Sequence, residues 1–151
     1  MMEKVKKAGF EGIATNELIE RRLNVQKFNH KCEFESGYIC DDITTDETKK
    51  KIFDEIEKWE KIGNDRVDVL IATPPCQGMS VANHKKAENE IVRNSLVVES
   101  IQLIQKIKPR FFILENVAAF MKTGCTAPDG SVKAIGDVIY EELSEKYIIV
   151  S

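Results

Sequence analysis

The chain has 151 residues, of which 42% are apolar and 31% are charged, a composition that is ordinary for one globular domain. Its formal net charge is −3, whereas a nucleic-acid-binding domain is usually basic. Any basic surface for nucleic acid is therefore expected outside these residues. Neither a signal peptide nor an apolar run of about 18 residues is present, which predicts a cytoplasmic protein with no membrane segment.

Short apolar runs alternate with longer segments of helical periodicity along the whole chain. This alternation predicts an α/β fold, in which a parallel sheet carries helices on both faces. The predicted strands are residues 12–16, 37–43, 67–72, 111–114 and 147–150. The predicted helices are residues 19–30, 45–62, 94–107 and 132–146.

Two of the predicted helices carry end signals. Thr44 and Glu47 match a capping box before the second helix, although Asp42 or Asp41 could equally cap that helix. Asn94 is positioned to cap the third helix, and Pro109 is positioned to end it.

The segment VDVLIATPPCQGMS, residues 67–80, runs from an apolar strand into two prolines, a cysteine and an amide. A rigid loop at the carboxyl end of a strand is where α/β proteins usually form their binding sites. Cys76 is therefore either a nucleophile, reactive as its thiolate, or a small buried apolar residue. A buried filler requires neither the preceding Pro-Pro nor the following Gln-Gly, so the neighbouring residues favour the nucleophile.

The other three cysteines, Cys32, Cys40 and Cys125, fit a structural role better. The four cysteines form no C-x-x-C pair, and no histidine lies at metal-ligand spacing from them. The sequence therefore predicts neither a metal site nor a disulfide framework.

The segment RFFILENVAAF is a second apolar strand, and it runs directly into Glu115. An acid at this point can also be a solvated carboxylate or a helix cap. Because consecutive parallel strands end at the same edge of a sheet, Cys76 and Glu115 are expected to face each other across one crevice.

Two earlier strands are also followed by acids, Glu17 and Asp42. Carboxylates in this position commonly accept hydrogen bonds from the ribose or the base of an adenosine cofactor. Acids after strands are frequent, however, and Asp42 or Asp41 could instead cap the next helix.

Taken together, these motifs resemble those of the cytosine-5 DNA methyltransferase family. PPCQGMS is similar to the Pro-Cys-Gln loop of that family, and LENV is similar to its Glu-Asn-Val strand end. An acid after the second strand, Asp-Ile-Thr after the third and the RNSL turn occur in the same order. The resemblance extends from residue 7 to about residue 150 and implies a Rossmann-like methyltransferase fold.

The resemblance implies a role for each matching residue. Cys76 would attack carbon 6 of cytosine, and Glu115 would contact the ring nitrogen and exocyclic amine of the same base. The donor of the methyl group would be S-adenosyl-L-methionine. Its binding residues would be Glu17, Asp42, Ile43, Thr73, Pro74, Pro75 and Leu96. The substrate-binding residues would be Gln77, Ser80, Asn116 and Val117.

The substrate implied by the resemblance is double-stranded DNA, from which the target base is flipped while residues 77–93 act as a mobile loop. Residues 1–151 are expected to be a partial catalytic domain, truncated at both ends. The glycine-rich opening strand and the target-recognition domain of the family are expected to be absent from it. The role in the cell would be modification within a restriction-modification system.

Three alternatives remain open at the level of the sequence. The chain could be an inactive fragment, or one subunit of a split methyltransferase that requires a complementary subunit. It could be a relative that methylates tRNA. TPPC could also be compared with the Pro-Pro-aromatic loops of amino-methyltransferases, but the cysteine and the later Glu-Asn-Val disfavour this reading.

Overall fold

The computed structural model describes residues 9–75 and 96–151. In chain order, the helices and strands are β1 (Thr15–Asn16), α1 (Glu20–Phe28), β2 (Tyr38–Ile39), α2 (Asp46–Lys61), β3 (Val69–Ala72), α3 (Leu96–Ile107), β4 (Phe111–Leu114), β5 (Gly124–Thr126), β6 (Val132–Ala134) and α4 (Ile135–Leu143). The chain divides into two compact units, Met1–Arg66 and Val67–Ser151.

The first unit contains the parallel pair of β1 and β2, with α1 and α2 in contact with β2. Leu23, Ile39 and Trp59 supply its buried apolar side chains. The Phe34 and Trp59 rings are tilted against each other with centroids 5.3 Å apart, and Lys58 lies over the Phe34 ring. Apolar burial of this kind is the main stabilising contribution to a small unit.

Helix α2 begins one residue later than its sequence signal predicts. Its N-cap is Thr45, whose side-chain oxygen accepts a hydrogen bond from the Thr48 backbone N–H. The predicted capping box of Thr44 and Glu47 is therefore wrong. Thr44 donates to the Asp42 carboxylate instead, because the Asp42 side chain reaches the backbone two residues on and competes with the cap.

The second unit is built around α3 and α4, which pack against each other. Ile101, Ile104, Ile135 and Val138 from these helices are completely buried in one apolar cluster. Side chains of β3 and β4 pack against the same cluster. Helix α3 ends at Ile107, two residues before Pro109, as the sequence predicts. The predicted cap, Asn94, lies outside the described residues.

The fourth predicted helix, residues 132–146, is partly wrong. Its first three residues form β6, which pairs antiparallel with β5, and α4 ends at Leu143. The hairpin turn places Gly130 at φ +82° and closes with a hydrogen bond from the Ala127 N–H to the Ser131 carbonyl. The Pro-Asp-Gly sequence of this turn was an available signal for a hairpin.

The fifth predicted strand, residues 147–150, is not formed. Tyr147 and Ile149 pack against the apolar cluster, whereas Ile148 and Val150 are almost fully exposed. The alternating apolar pattern therefore reflects burial on one side only. No described strand lies beside this segment to supply the ladder of hydrogen bonds that a strand requires.

The described strands form three separate two-stranded sheets, of which β1–β2 and β3–β4 are parallel. The α/β class and the parallel pairing of consecutive strands are confirmed, while a single sheet covered on both faces is not found among the described residues. Phe111 and Ile113 of β4 are exposed, although an apolar run predicts burial on both faces. An apolar strand has the same composition at the edge and in the centre of a sheet, so its sequence cannot predict how many neighbours it has.

Candidate active site

The ends of β3 and β4 form the edge at which the candidate catalytic residues were predicted. The two strands pair in parallel with Ala72 opposite Leu114. The pairing continues for one more residue, because the Glu115 N–H donates to the Ala72 carbonyl over 3.0 Å. The segments that follow the two strands therefore start side by side.

Asn116 joins these two segments through its side chain. Its Nδ2 donates to the Pro74 carbonyl over 2.8 Å, and its Oδ1 accepts from the Val117 backbone N–H over 2.9 Å. Asn116 and Pro74 are both half-buried. A partly buried side-chain amide that bonds to two backbone groups holds the segments after β3 and β4 at a defined distance from each other.

Glu115 has an exposed side chain, as has Val117. The expected juxtaposition of Glu115 with Cys76 stays a prediction, because Cys76, Gln77 and Ser80 lie outside the described residues. Within the described part of this edge, the Glu115 carboxylate is accessible to a ligand from solvent.

The ends of β1 and β2 form a comparable edge in the first unit. The Glu17 N–H donates to the Ile39 carbonyl over 3.1 Å, and Asn16 Nδ2 donates to the Asp41 carbonyl over 2.9 Å. The segment that begins at Glu17 and the segment around Asp41 therefore lie next to each other where they follow the parallel pair.

Glu17 and Asp42 each retain one carboxylate oxygen for a ligand. Glu17 Oε1 accepts from the Ile19 backbone N–H, and Asp42 Oδ1 accepts from both the N–H and the hydroxyl of Thr44. No protein hydrogen bond to Glu17 Oε2 or Asp42 Oδ2 is found among the described residues. These two acceptor groups fit a ribose hydroxyl and an exocyclic amine, which both donate hydrogen bonds to carboxylates.

The Thr44 backbone N–H, together with the Thr44 hydroxyl, lowers the pKa of Asp42 below its usual value. Asp42 is consequently a carboxylate at neutral pH and acts only as a hydrogen-bond acceptor. Ile43, the third residue predicted at this edge, is half-buried.

The remaining predicted cofactor residues belong to the second unit. Thr73 and Pro75 are exposed directly after β3, Pro74 is half-buried, and Leu96 is the first described residue of α3. A cavity of about 120 Å³ in the same unit is lined by Leu143, Tyr147 and their neighbours, and it includes none of the predicted site residues.

Two asparagines, Asn16 and Asn116, have bridging positions that sequence reasoning did not predict. Each bonds to a backbone carbonyl of the neighbouring parallel chain, and each is adjacent in sequence to a candidate acid. Asn116 was predicted as a substrate contact and Asn16 was not singled out, and an asparagine beside an acid at the end of a strand is the signal that could have indicated the bridging position of both.

Within residues 9–75 and 96–151, no helix is long and apolar enough to cross a membrane. The same residues contain no group of three or more His, Cys, Asp and Glu side chains arranged to hold a metal ion.

Comparison with known proteins identifies relatives along most of the chain. A type II methyltransferase, M1.HgaI of Avibacterium volantium, is 31% identical over 149 residues, which cover 95% of this chain and 38% of the relative. M.XorII of Xanthomonas oryzae pv. oryzae, also a type II methyltransferase, is 30% identical over 73% of this chain and 24% of its own length. A putative type II methyltransferase of Methanocaldococcus jannaschii is 41% identical over 42% of this chain and 18% of the relative.

The chain therefore spans less than two fifths of the length of these relatives. No solved structure matches it significantly. The family model for C-5 cytosine-specific DNA methylase matches residues 3–136, which is most of the chain. Since that match agrees with the order of the strand-end motifs, the chain belongs to the C-5 cytosine-specific DNA methylase family.

Proposed function

We propose that this chain carries catalytic residues of an enzyme that methylates carbon 5 of cytosine in double-stranded DNA. The enzyme would serve as the modification component of a type II restriction-modification system and act in the cytoplasm. The family match and the names of the relatives support this proposal.

The observation that carries the proposal is the pairing of β3 with β4. The Glu115 N–H bonds to the Ala72 carbonyl, and the Asn116 side chain bonds to the Pro74 carbonyl. The Pro-Pro-Cys and Glu-Asn-Val segments thus begin at one edge of one sheet. A reaction that needs a thiol and a carboxylate around one base would use this arrangement.

In the proposed reaction, the Cys76 thiolate forms a bond to carbon 6 of cytosine. The electron pair of the ring double bond then moves towards carbon 5, which becomes nucleophilic, and Glu115 stabilises the charge at the ring nitrogen. S-adenosyl-L-methionine, when bound, would supply the methyl group for carbon 5, and its sulfonium would become a neutral thioether. Transfer of the carbon 5 proton to a base from solvent returns the electron pair to the ring, restores the double bond and expels the Cys76 thiolate.

Cofactor contacts are proposed within each unit separately. In the first unit, Glu17 would accept a hydrogen bond from the ribose, and Asp42 with Ile43 would contact the adenine. In Glu17 and in Asp42, one carboxylate oxygen accepts the local hydrogen bonds. The second oxygen of each acid, which accepts no bond from the described residues, supports this assignment. In the second unit, the proposed cofactor contacts are Thr73, Pro74, Pro75 and Leu96.

The substrate proposal is DNA and not tRNA, because the family description names a DNA methylase and the relatives are named type II methyltransferases. The target base must leave the duplex to reach a thiol in a pocket. The proposed substrate contacts of Gln77, Ser80, Asn116 and Val117 would act on the flipped base and its strand. Residues 1–151 would form part of the catalytic domain.

A complementary polypeptide is a second proposed partner. The observation in its favour is the exposure of Phe111 and Ile113 on one face of a parallel pair, since parallel sheets are normally covered on both faces. If the protein encoded by the complete gene methylates DNA without any addition, a separate subunit is unnecessary and this second proposal fails.

The decisive experiment replaces Cys76 with serine in the whole protein, including any residues that precede or follow this chain. Methylation of duplex DNA should fall by more than about 1,000-fold, because an alcohol is far less nucleophilic than a thiolate. Unmodified protein should form a covalent adduct with DNA containing 5-fluorocytosine, whereas Cys76→Ser should form none.

Cys40→Ser is the matched control, because Cys40 is an exposed cysteine with no proposed role. This variant should methylate DNA and form the adduct at the normal rate. Retained methylation by Cys76→Ser would refute the covalent role. Methylation of tRNA in preference to duplex DNA would overturn the proposed substrate.

A further inference from the structure

We infer that Asn116 is a positioning residue for Cys76, and not only a contact for the substrate. It would hold the segment that leads into Cys76 against the strand end that carries Glu115. This inference rests on the proposed function, because it gives Asn116 a task within that reaction.

The Pro-Pro sequence explains why such a support is needed. Pro74 and Pro75 have no backbone N–H, so this part of the chain cannot donate a ladder hydrogen bond to a neighbouring strand. Among the described residues, the last backbone bond of the β3–β4 pair is the one from the Glu115 N–H to the Ala72 carbonyl. Beyond this point, a donor from the segment after β4 can bind a proline carbonyl, although the prolines cannot donate in return.

The Asn116 carboxamide supplies that donor. Its Nδ2 lies 2.8 Å from the Pro74 carbonyl oxygen, and its Oδ1 lies 2.9 Å from the Val117 backbone nitrogen. The N–H of Val117 can only donate and the carbonyl of Pro74 can only accept, so both bonds require the amide in this one orientation. An aspartate at this position has nearly the same shape and could still accept from the Val117 N–H, but its carboxylate cannot donate to the Pro74 carbonyl.

The position of this bridge connects it to the chemistry. Cys76 is two residues after Pro74 in the sequence, and Glu115 directly precedes Asn116. The two proline rings restrict the backbone between the bridge and the thiol. An attack on carbon 6 requires near-attack geometry, and a displacement of about 1 Å can reduce a rate by about 100-fold.

The kinetic test compares Asn116→Asp with unmodified whole protein. We expect kcat for DNA methylation, and the single-turnover rate of adduct formation with 5-fluorocytosine DNA, to fall by about 10- to 100-fold. KM for DNA and for S-adenosyl-L-methionine should stay within about twofold, because the bridge contributes to the attack more than to binding. Loss confined to KM would show a substrate contact and overturn the inference.

Asn29→Asp is the matched control for this substitution. Asn29 is exposed at the end of α1, and its Nδ2 also donates to a backbone carbonyl, that of Val25, over 2.7 Å. The same chemical change at Asn29 should leave kcat and adduct formation unaltered. An equal fall in kcat for both variants would mean that loss of any such bond disturbs the protein, and would contradict a specific role for Asn116.

A second measurement separates this inference from the proposed function, because it needs neither DNA nor cofactor. Iodoacetamide alkylation of each cysteine, followed by peptide mass spectrometry, gives the Cys76 rate relative to the exposed Cys40. In Asn116→Ala, which adds no charge, we expect this ratio to change by at least about threefold. Asn29→Asp should leave the ratio unchanged.

The buried thiols of Cys32 and Cys125 report general loosening of the fold in the same experiment. Both should stay protected in Asn116→Ala. If they become reactive together with Cys76, Asn116 has only a structural role and the inference fails. If Cys76→Ser retains methylation while the alkylation ratio still responds to Asn116→Ala, the proposed function fails but the bridge to the Cys76 segment remains.

Discussion

At the scale of single residues, two aspartates accept hydrogen bonds from the residue two places further along the chain. Asp42 accepts from the N–H and hydroxyl of Thr44, and Asp129 accepts from the same groups of Ser131. These bonds favour the charged carboxylate, so the pKa of each aspartate is lowered. The same local motif therefore prepares a candidate cofactor ligand in one unit and stabilises a hairpin turn in the other.

The Ser131 hydroxyl is the main reason why the pKa of Asp129 is lowered to about 2, and the Ser131 N–H and Lys133 contribute. Ser131→Ala should raise that pKa towards the ordinary value of 3.8, as measured by NMR titration of the side-chain carboxyl. A lowered pKa in the folded state stabilises the protein above the unfolded-state value, and this contribution disappears as the pH falls through about 2. With its folded-state pKa nearer 3.8, the variant should lack most of this contribution at any pH.

Thr44→Val provides the reciprocal control for this titration. It removes the corresponding hydroxyl at Asp42, so it should raise the pKa of Asp42 and leave that of Asp129 unchanged. Because Asp42 and Asp129 are both exposed to solvent, which screens their interactions, neither variant should change the midpoint of urea unfolding noticeably at neutral pH. An unchanged Asp129 titration in Ser131→Ala would mean that the hydroxyl is not the cause of the lowered pKa.

At the scale of helices and strands, the elements of the second unit differ in how many of their apolar side chains are buried. Helices α3 and α4 place a row of apolar residues completely inside the apolar cluster. The last segment, residues 147–150, contributes only alternate side chains to that cluster. Both segments are apolar in sequence, so composition alone does not separate their contributions to stability.

Two isoleucines with opposite environments test this difference. Ile101 in α3 is 0% exposed, and Ile148 is 96% exposed. Ile101→Ala should lower the free energy of unfolding by about 2–5 kcal/mol, because it removes buried methyl groups and leaves a cavity. Ile148→Ala should change it by less than about 0.5 kcal/mol. Urea unfolding monitored by circular dichroism measures both, and similar losses for the two variants would contradict the burial described above.

At the scale of the whole molecule, the pairing of β3 with β4 leaves apolar side chains in contact with solvent. Phe111 is 57% exposed and Ile113 is 44% exposed, and both lie on the same face of β4. The opposite face of this strand packs against the apolar cluster through Phe112 and Leu114. Exposed apolar surface on a parallel pair is a feature that association with another surface would cover.

A double substitution, Phe111→Thr with Ile113→Thr, tests this exposed face. Binding of an apolar fluorescent dye and self-association in sedimentation velocity should both decrease, because threonine is suited to strands but is less apolar. The free energy of unfolding should change by less than about 1 kcal/mol, since both side chains are already largely solvated. Val132→Thr is the control, at a residue 64% exposed in the antiparallel hairpin, and it should change neither property. Undiminished dye binding in the double variant would locate the apolar surface elsewhere.

The sequence predicted the ends of β3 and β4 correctly, and with them the edge that carries the candidate active site. Ala72 ends β3 one residue before Pro-Pro, whose residues lack a backbone donor, and Leu114 ends β4 directly before Glu-Asn. The family was also evident from the order of the strand-end motifs, and the family match confirms it. These features depend on neighbouring residues, which is why the sequence alone was sufficient.

Only the tertiary structure decided which groups meet across the chain. The bond from Asn116 to Pro74 joins residues that are 42 positions apart, and it depends on the register of β3 against β4. The same applies to the exposed face of β4, the β5–β6 hairpin and the unpaired segment at residues 147–150. Periodicity in a sequence reports which side of an element is apolar, whereas pairing and exposure depend on what lies beside it in space.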